Sequence, residues 1–236
     1  MQALTGLSGL SGAGGGSDPY ASLRDYRSYW PMNESSAGSN AVDLAGAYSL
    51  TQTGSPDILS PGRLTDTTPK YFVGTGAYDL GQSWTFVAWY NRPASAVQAL
   101  FTNRVVASAT PGQAGQVVFL SISDTWQVYI YNPTPTQSGP FASVVDGSTN
   151  TWRMIVLRHN VSTKTFTSSI DNGAATGNGT YTGTIDTDNA SNPLDFGRDV
   201  QSPLAALRRR SHWFYSRILT PTEEALLYNA GSTFIL

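Results

Sequence analysis

The sequence predicts an all-β fold, an antiparallel sandwich or barrel with one short C-terminal helix. Three observations carry this. After Tyr20, short runs of β-branched and aromatic residues alternate with clusters of Gly, Pro, Asn and Asp. Nine Phe, six Trp and twelve Tyr supply a large core. Only the segment from Thr220 to Gly231 carries both helix-start and helix-stop signals.

The strands predicted in order are Arg27–Met32, Tyr48–Gln52, Tyr71–Val73, Trp84–Asn91, Ala99–Arg104, Gln116–Ser123, Trp126–Asn132, Trp152–His159, Thr165–Asp171, Leu194–Gly197 and Ser211–Ile218. Breakers separate them at Gly54–Pro56, Ser60–Gly62, Pro111–Gly115, Pro133–Pro140, Asp146–Asn150 and Asn172–Gly173. The last pair follows an Asp and is the strongest tight-hairpin signal. Trp84, Phe86 and Ala88 alternate with the equally apolar Val87 and Trp89. That strand is expected to be covered on both faces, by its own chain or by a neighbouring subunit. In the helix, Thr220 is the N-cap, Pro221 takes the first helical position and Glu223 completes a capping box. Asn229 and Gly231 end it, and about nine residues need packing to persist.

The charged fraction, 13%, is low for a globular chain. Disorder would pair that with few aromatics and a high net charge. Here the aromatics are many and the net charge is -2. The polar surface is therefore built from Ser, Thr, Asn, Gln and Gly. A pI near 5.6 and only two lysines, Lys70 and Lys164, leave no footprint for nucleic acid. Absence of cysteine excludes disulfides and thiolate zinc sites. No apolar run is long enough for a membrane span, so membrane insertion is not expected.

Residues 1–19 read as a Gly/Ser/Leu-rich arm, and 20–236 as one folded domain. Leu4, Leu7 and Leu10 recur every three residues among glycines too numerous for a stable isolated helix. The arm is either a flexible leader or a segment that lays its leucines on a partner. No basic n-region marks it as a secretory signal.

Few residues suggest chemistry. Glu34 stands alone, and Glu223 and Glu224 lie on the helix, so no paired carboxylates suit glycoside hydrolysis. Asp186 and Asp188, followed by Asn189 and Asn192, read as an acidic surface loop or a calcium loop. His159 and His212 lack metal-pair spacing and read as polar strand-end residues. Arg208, Arg209 and Arg210 read as a strand end or loop whose guanidinium groups pair with nearby carboxylates, or as a phosphate or glycan site. Trp126, Tyr129 and Tyr131, and also Trp213, are candidate sugar platforms or plain packing residues.

Six motifs follow in order: "YWPMNESSAGSNAVDLAG" (29–46), "WTFVAWYNRP" (84–93), "NTWRMIVLRHN" (150–160), "SSIDNGAA" (168–175), "LDFGR" (194–198) and "FYSRILTPTEEALLYNAG" (214–231). Their order resembles the concanavalin A-like superfamily, and within it laminin-G-type (LamG) domains. The resemblance implies a two-sheet antiparallel jelly-roll sandwich that binds glycans or proteins, often with calcium. The acidic strand of the family's glucanases is missing, so the chain is expected not to be an enzyme. Modules of this pattern resemble those of phage virion proteins. Two functions follow as expectations. One is a capsid or tail decoration protein on the virion surface, held by its arm and homo-oligomeric through arm exchange. The other is a carbohydrate-binding adhesion module, extracellular or on a cell surface.

Overall fold

The computed structural model describes residues 18–34, 36, 38–46, 48–58, 62–65, 70–74, 78–103, 116–131, 137–183, 185, 193–198 and 204–232. The side chains of 58, 116, 118, 120, 131, 137 and 138 lie outside this set, as do Leu4, Leu7, Leu10, Asp186, Asp188, Asn189 and Asn192. The described strands are β1 (Tyr26–Trp30), β2 (Leu50–Thr53), β3 (Asp57–Ile58), β4 (Arg63–Thr65), β5 (Tyr71–Gly74), β6 (Trp84–Asn91), β7 (Gln98–Thr102), β8 (Gln116–Ile122), β9 (Thr125–Tyr131), β10 (Gln137–Val145), β11 (Trp152–Asn160), β12 (Thr165–Ile170), β13 (Asp195–Phe196) and β14 (Leu207–Tyr215). Helix α1 spans Pro221–Ala230.

Two antiparallel seven-stranded sheets form a sandwich. The first runs β12-β11-β6-β14-β4-β3, with β1 also pairing β14; the second runs β10-β9-β8-β7-β13-β5-β2. This is the all-β jelly-roll class that the resemblance implies. The core between the sheets follows the two-residue period of strands. Phe86, Ala88 and Tyr90 from β6, Trp126, Val128 and Ile130 from β9, and Ile155 and Leu157 from β11 all point into it.

A second apolar cluster lies on the outer face of the first sheet. Val87, Trp89, Met154, Val156, Trp213 and Tyr215 are covered there by Leu23, Leu219 and Leu227. This explains the doubly apolar β6, all eight of whose residues are buried. The cover is the chain's own helix and N-terminal segment. Helix α1 forms with the expected cap: the Thr220 side chain accepts from Glu223 N, and the Glu223 side chain accepts from Thr220 N at 2.8 Å. Glu224 pairs with Arg158 of β11, and Tyr228 stacks on Trp89 at 6.0 Å.

The motif from Tyr29 to Gly46 has a physical reason. Asp43 accepts from Tyr29 N and Ala45 N with one oxygen and from Tyr48 N with the other. Gly46 closes this turn at φ 80° and donates to Asp43 O. Glu34 accepts from Val42 N and reaches Arg63, so it is not isolated.

Several expectations need correction. Pro133–Pro140 is not wholly a breaker, because β10 begins at Gln137. That strand is an edge with a shifted register between Ser138 and Ala142, where a proline is tolerated. The short β3 and β4 fall in a stretch expected to be loop. The turn near Asn172 has Asp171 and Asn172 at positive φ, with Gly173 N bonded to Ile170 O, one residue earlier than the Asn-Gly signal implies. The last strand starts at Leu207 rather than Ser211, so Arg208–Arg210 belong to it. The carboxylate pairing expected of these arginines does not occur among the described residues. Arg209 points inward, fully buried, and donates to the Leu100 and Ala99 carbonyls and to Thr65. His159 does stand at the end of β11, but it is fully buried, and His212 lies within β14 and is fully buried too.

Candidate ligand-binding site

The described surface offers an open cavity of about 470 Å³ at one rim of the sandwich, where β6 begins and β11 and β14 end. Its wall includes Arg27, Asp79, Gln82, Ser83, Trp84 and Ser216. The loop 79–83 is pinned from below. The Asp79 carboxylate accepts from Gly81 N at 2.7 Å, a local turn that competes with strand pairing. Leu80 is buried in the core, and its carbonyl accepts from the Trp84 indole at 3.0 Å. Ser83 Oγ accepts from Val161 N.

His159 is the deeper anchor. Its Nδ1 lies 2.7 Å from the Gln82 carbonyl and its Nε2 lies 2.8 Å from the Tyr181 hydroxyl. A carbonyl only accepts, so Nδ1 carries the proton and Nε2 accepts from Tyr181. Burial pushes the His159 pKa down to about 4, so the ring is neutral at physiological pH. Arg27 lines the cavity beside this loop. It donates to Asp79 O at 2.5 Å and to the Tyr48 hydroxyl, with its guanidinium 4.1 Å from the Tyr78 ring centre. The site thus presents guanidinium, carboxylate, amide and hydroxyl groups from β1, the 79–83 loop and the residue that follows β14. Sequence reasoning missed it, because its residues come from four separate segments with no shared motif.

The sugar candidates named from sequence fall elsewhere. Trp126 is fully buried between Tyr90 and Phe119. Its ring therefore offers no face to a ligand. Trp213 is likewise buried, stacked on Tyr29 at 5.0 Å. Tyr129 lies on the outer face of the second sheet, packed with Ala99 and Leu204 and bonded to Gln127. Tyr131 lies two residues further along β9, its side chain outside the described set.

That outer face also carries a buried acid. Register places Thr51, Val73, Asp195 and Thr102 in one row across β2, β5, β13 and β7. Asp195 has no exposed surface, and one of its oxygens has no hydrogen-bond partner. The other meets Arg198 at 2.7 Å, and Arg198 lies over the Tyr71 ring. Burial raises the Asp195 pKa to about 6, against the opposing pull of Arg198. No group of three or more potential metal ligands occurs among the described residues.

With this geometry in place, comparison with known proteins is informative about fold. No family model matches the sequence, and no curated protein matches it. Solved structures do match. The chain is similar to botulinum neurotoxin receptor-binding domains. Against the receptor-binding domain of botulinum neurotoxin D the TM-score is 0.62 at 10% identity, covering 87% of this chain and 52% of that one. The serotype D ligand-binding domain in complex with N-acetylneuraminic acid gives a TM-score of 0.61 at 9% identity, covering 90% and 53%. The chain thus spans about half the length of these neurotoxin domains, and the likeness is one of fold.

Proposed function

We propose that this protein is a non-catalytic, lectin-like module that binds glycan in the rim cavity. The observation that carries this reading is the cavity wall itself. Arg27, Asp79, Gln82, Ser83 and Ser216 set donors and acceptors around a concave space beside Trp84. Sugar hydroxyls need that mixture, and a few placed polar groups in a concavity fix ligand orientation. The sialic acid complex of a structural neighbour supports the reading by analogy of fold.

Glycan-array screening followed by titration calorimetry tests it. Val161→Trp, which plugs the cavity from a 39% exposed position, should lower affinity roughly tenfold or more while leaving the thermal midpoint unchanged. Gln82→Ala should weaken binding too, since the anchor to His159 is a backbone carbonyl and survives. Absence of glycan binding on the array, or full binding by the plugged variant, refutes the assignment.

A second proposal concerns attachment and is favoured by one sequence observation. Leu4, Leu7 and Leu10 are spaced along an arm whose first seventeen residues include no charged side chain. Such an arm suits docking onto another protein, here a virion capsid or tail component, with the sandwich displayed outward and copies associating as a homo-oligomer. Removing residues 1–17 should abolish incorporation onto the particle while leaving glycan binding intact. Incorporation of the truncated chain at the normal level would sink this proposal.

A further inference from the structure

The basic cluster of the last strand remains unexplained by the rim cavity. On β14, Arg208 and Arg210 flank the inward-pointing Arg209, so both stand on the outer face of the first sheet. Register sets Arg208 opposite Asn91 and Arg210 opposite Trp89 on β6, with Trp152 of β11 on the far side of Asn91. Asn91 and Trp89 are nearly buried, and Arg208, Arg210 and Trp152 are half-buried.

These two arginines differ from most others in the protein. Arg63, Arg92, Arg153, Arg158, Arg198 and Arg217 each have a carboxylate within 4 Å. Among the described residues Arg208 and Arg210 have none. Arg208 meets only Asn91 Oδ1, at 3.4 Å, and the Nε of each arginine is shielded from solvent without a hydrogen-bond partner. The neighbouring Trp89 Nε1 is an unpartnered donor as well. Arg209, directly behind, is a third cation held by carbonyls and a hydroxyl rather than by an acid.

A guanidinium keeps its proton in proteins, and a partly desolvated charge without a partner is costly. Two half-buried guanidinium groups with no carboxylate partner among the described residues, with the Trp152 indole beside them, complement an acceptor-only group. A carboxylate or sulfate meets guanidinium geometry well. We propose that Arg208 and Arg210, with Trp152 and Asn91 beside them, form a subsite for one oxyanion carried on a sugar, either a carboxylate or a sulfate ester. The patch is two arginine heads wide and lies on a chain of net charge -2. It suits a single anionic group and not a polyanion, whose binding needs an extended basic surface. The subsite lies on the first-sheet face and does not depend on the rim cavity.

The test titrates the full chain with three oligosaccharides: one ending in N-acetylneuraminic acid, one sulfated and one neutral. At least one acidic sugar should bind, the neutral one should not bind this patch, and the stronger acidic ligand names the group. Arg208→Gln with Arg210→Gln should lower that affinity about tenfold to a hundredfold, the usual effect of losing charge-assisted hydrogen bonds. Arg208→Lys with Arg210→Lys should keep a measurable part of it. The lysine pair keeps the charge, so it stays informative if the glutamine pair misfolds. Val161→Trp should leave it unchanged, which separates this subsite from the cavity. Equal binding of neutral and acidic sugars by the Val161→Trp variant, wild-type affinity in the glutamine variant, no binding of either acidic sugar, or tighter binding to DNA or anionic vesicles would each overturn the proposal.

Discussion

Replacing Asp195 by Asn should make the protein more stable at neutral pH, although it removes an ion pair. Asp195 is fully buried, and its pKa stands at about 6 instead of 3.8. Ionising it in the fold therefore costs on the order of 3 kcal/mol relative to the unfolded chain. The sign follows from linkage. Between about pH 4 and 6 the folded state holds this proton and the unfolded state does not, so its contribution to stability falls as pH rises. Above pH 6 the penalty is complete. Asn removes it but leaves Arg198 unpaired; that side chain is 30% exposed and can rehydrate. The expected net gain is about 1–2 kcal/mol at pH 7.5, or roughly 3–6 °C in midpoint for a chain of this length. The assay is thermal and urea unfolding of both proteins from pH 4 to 8, reading the difference between them. That difference should be smallest at pH 4, grow through pH 6 and then level off. A destabilised variant at pH 7.5, or a difference independent of pH, would refute the reasoning.

His159 acts in the opposite direction over the same range. Its folded pKa of about 4 lies below 6.5, so stability is lost as pH falls from about 6.5 towards 4. His159→Gln should flatten that acid limb when unfolding is followed by circular dichroism. Thr220→Ala removes the helix cap and should cost about 1 kcal/mol in urea unfolding. Gly62→Ala should cost about 1–3 kcal/mol, because φ is 110° there and a Cβ would run into the Arg209 carbonyl and the Trp152 ring. Trp126→Ala should cost roughly 3–5 kcal/mol through a core cavity. Measured by denaturation, that loss distinguishes a packing residue from a surface platform.

Much of the fold was legible in the sequence because strand formation is largely local. The alternation in β9 and β11, the Asp43–Gly46 turn and the Thr220–Glu223 cap each depend on residues close together in the chain. The both-faced hydrophobicity of β6 also showed that something must cover it. What covers it could not be read, since α1 and the 20–26 segment lie far from β6 in sequence. The misplaced start of β14 has a similar cause. Three consecutive arginines look like solvated surface until the partners of Arg209 are known, and those are carbonyls of β7 over a hundred residues away.

The candidate site was harder to anticipate. Aromatic residues mark sugar platforms only when a ring face is exposed, and exposure is a property of the packed sheets. The same two-residue period that puts Trp126 in the core puts Tyr129 on the outer face, and the sequence does not state which parity is inward. The rim cavity joins Arg27, loop 79–83, Val161 and Ser216, whose nearness is set by where three strands happen to end. The sequence by itself determined the all-β class, the helix with its cap, and a chemistry poor in charge and free of cysteine. Only the tertiary structure decided which polar groups converge and which charges are left without partners. Those depend on contacts between distant segments, and the free energy of a buried charge is set by its neighbours in space.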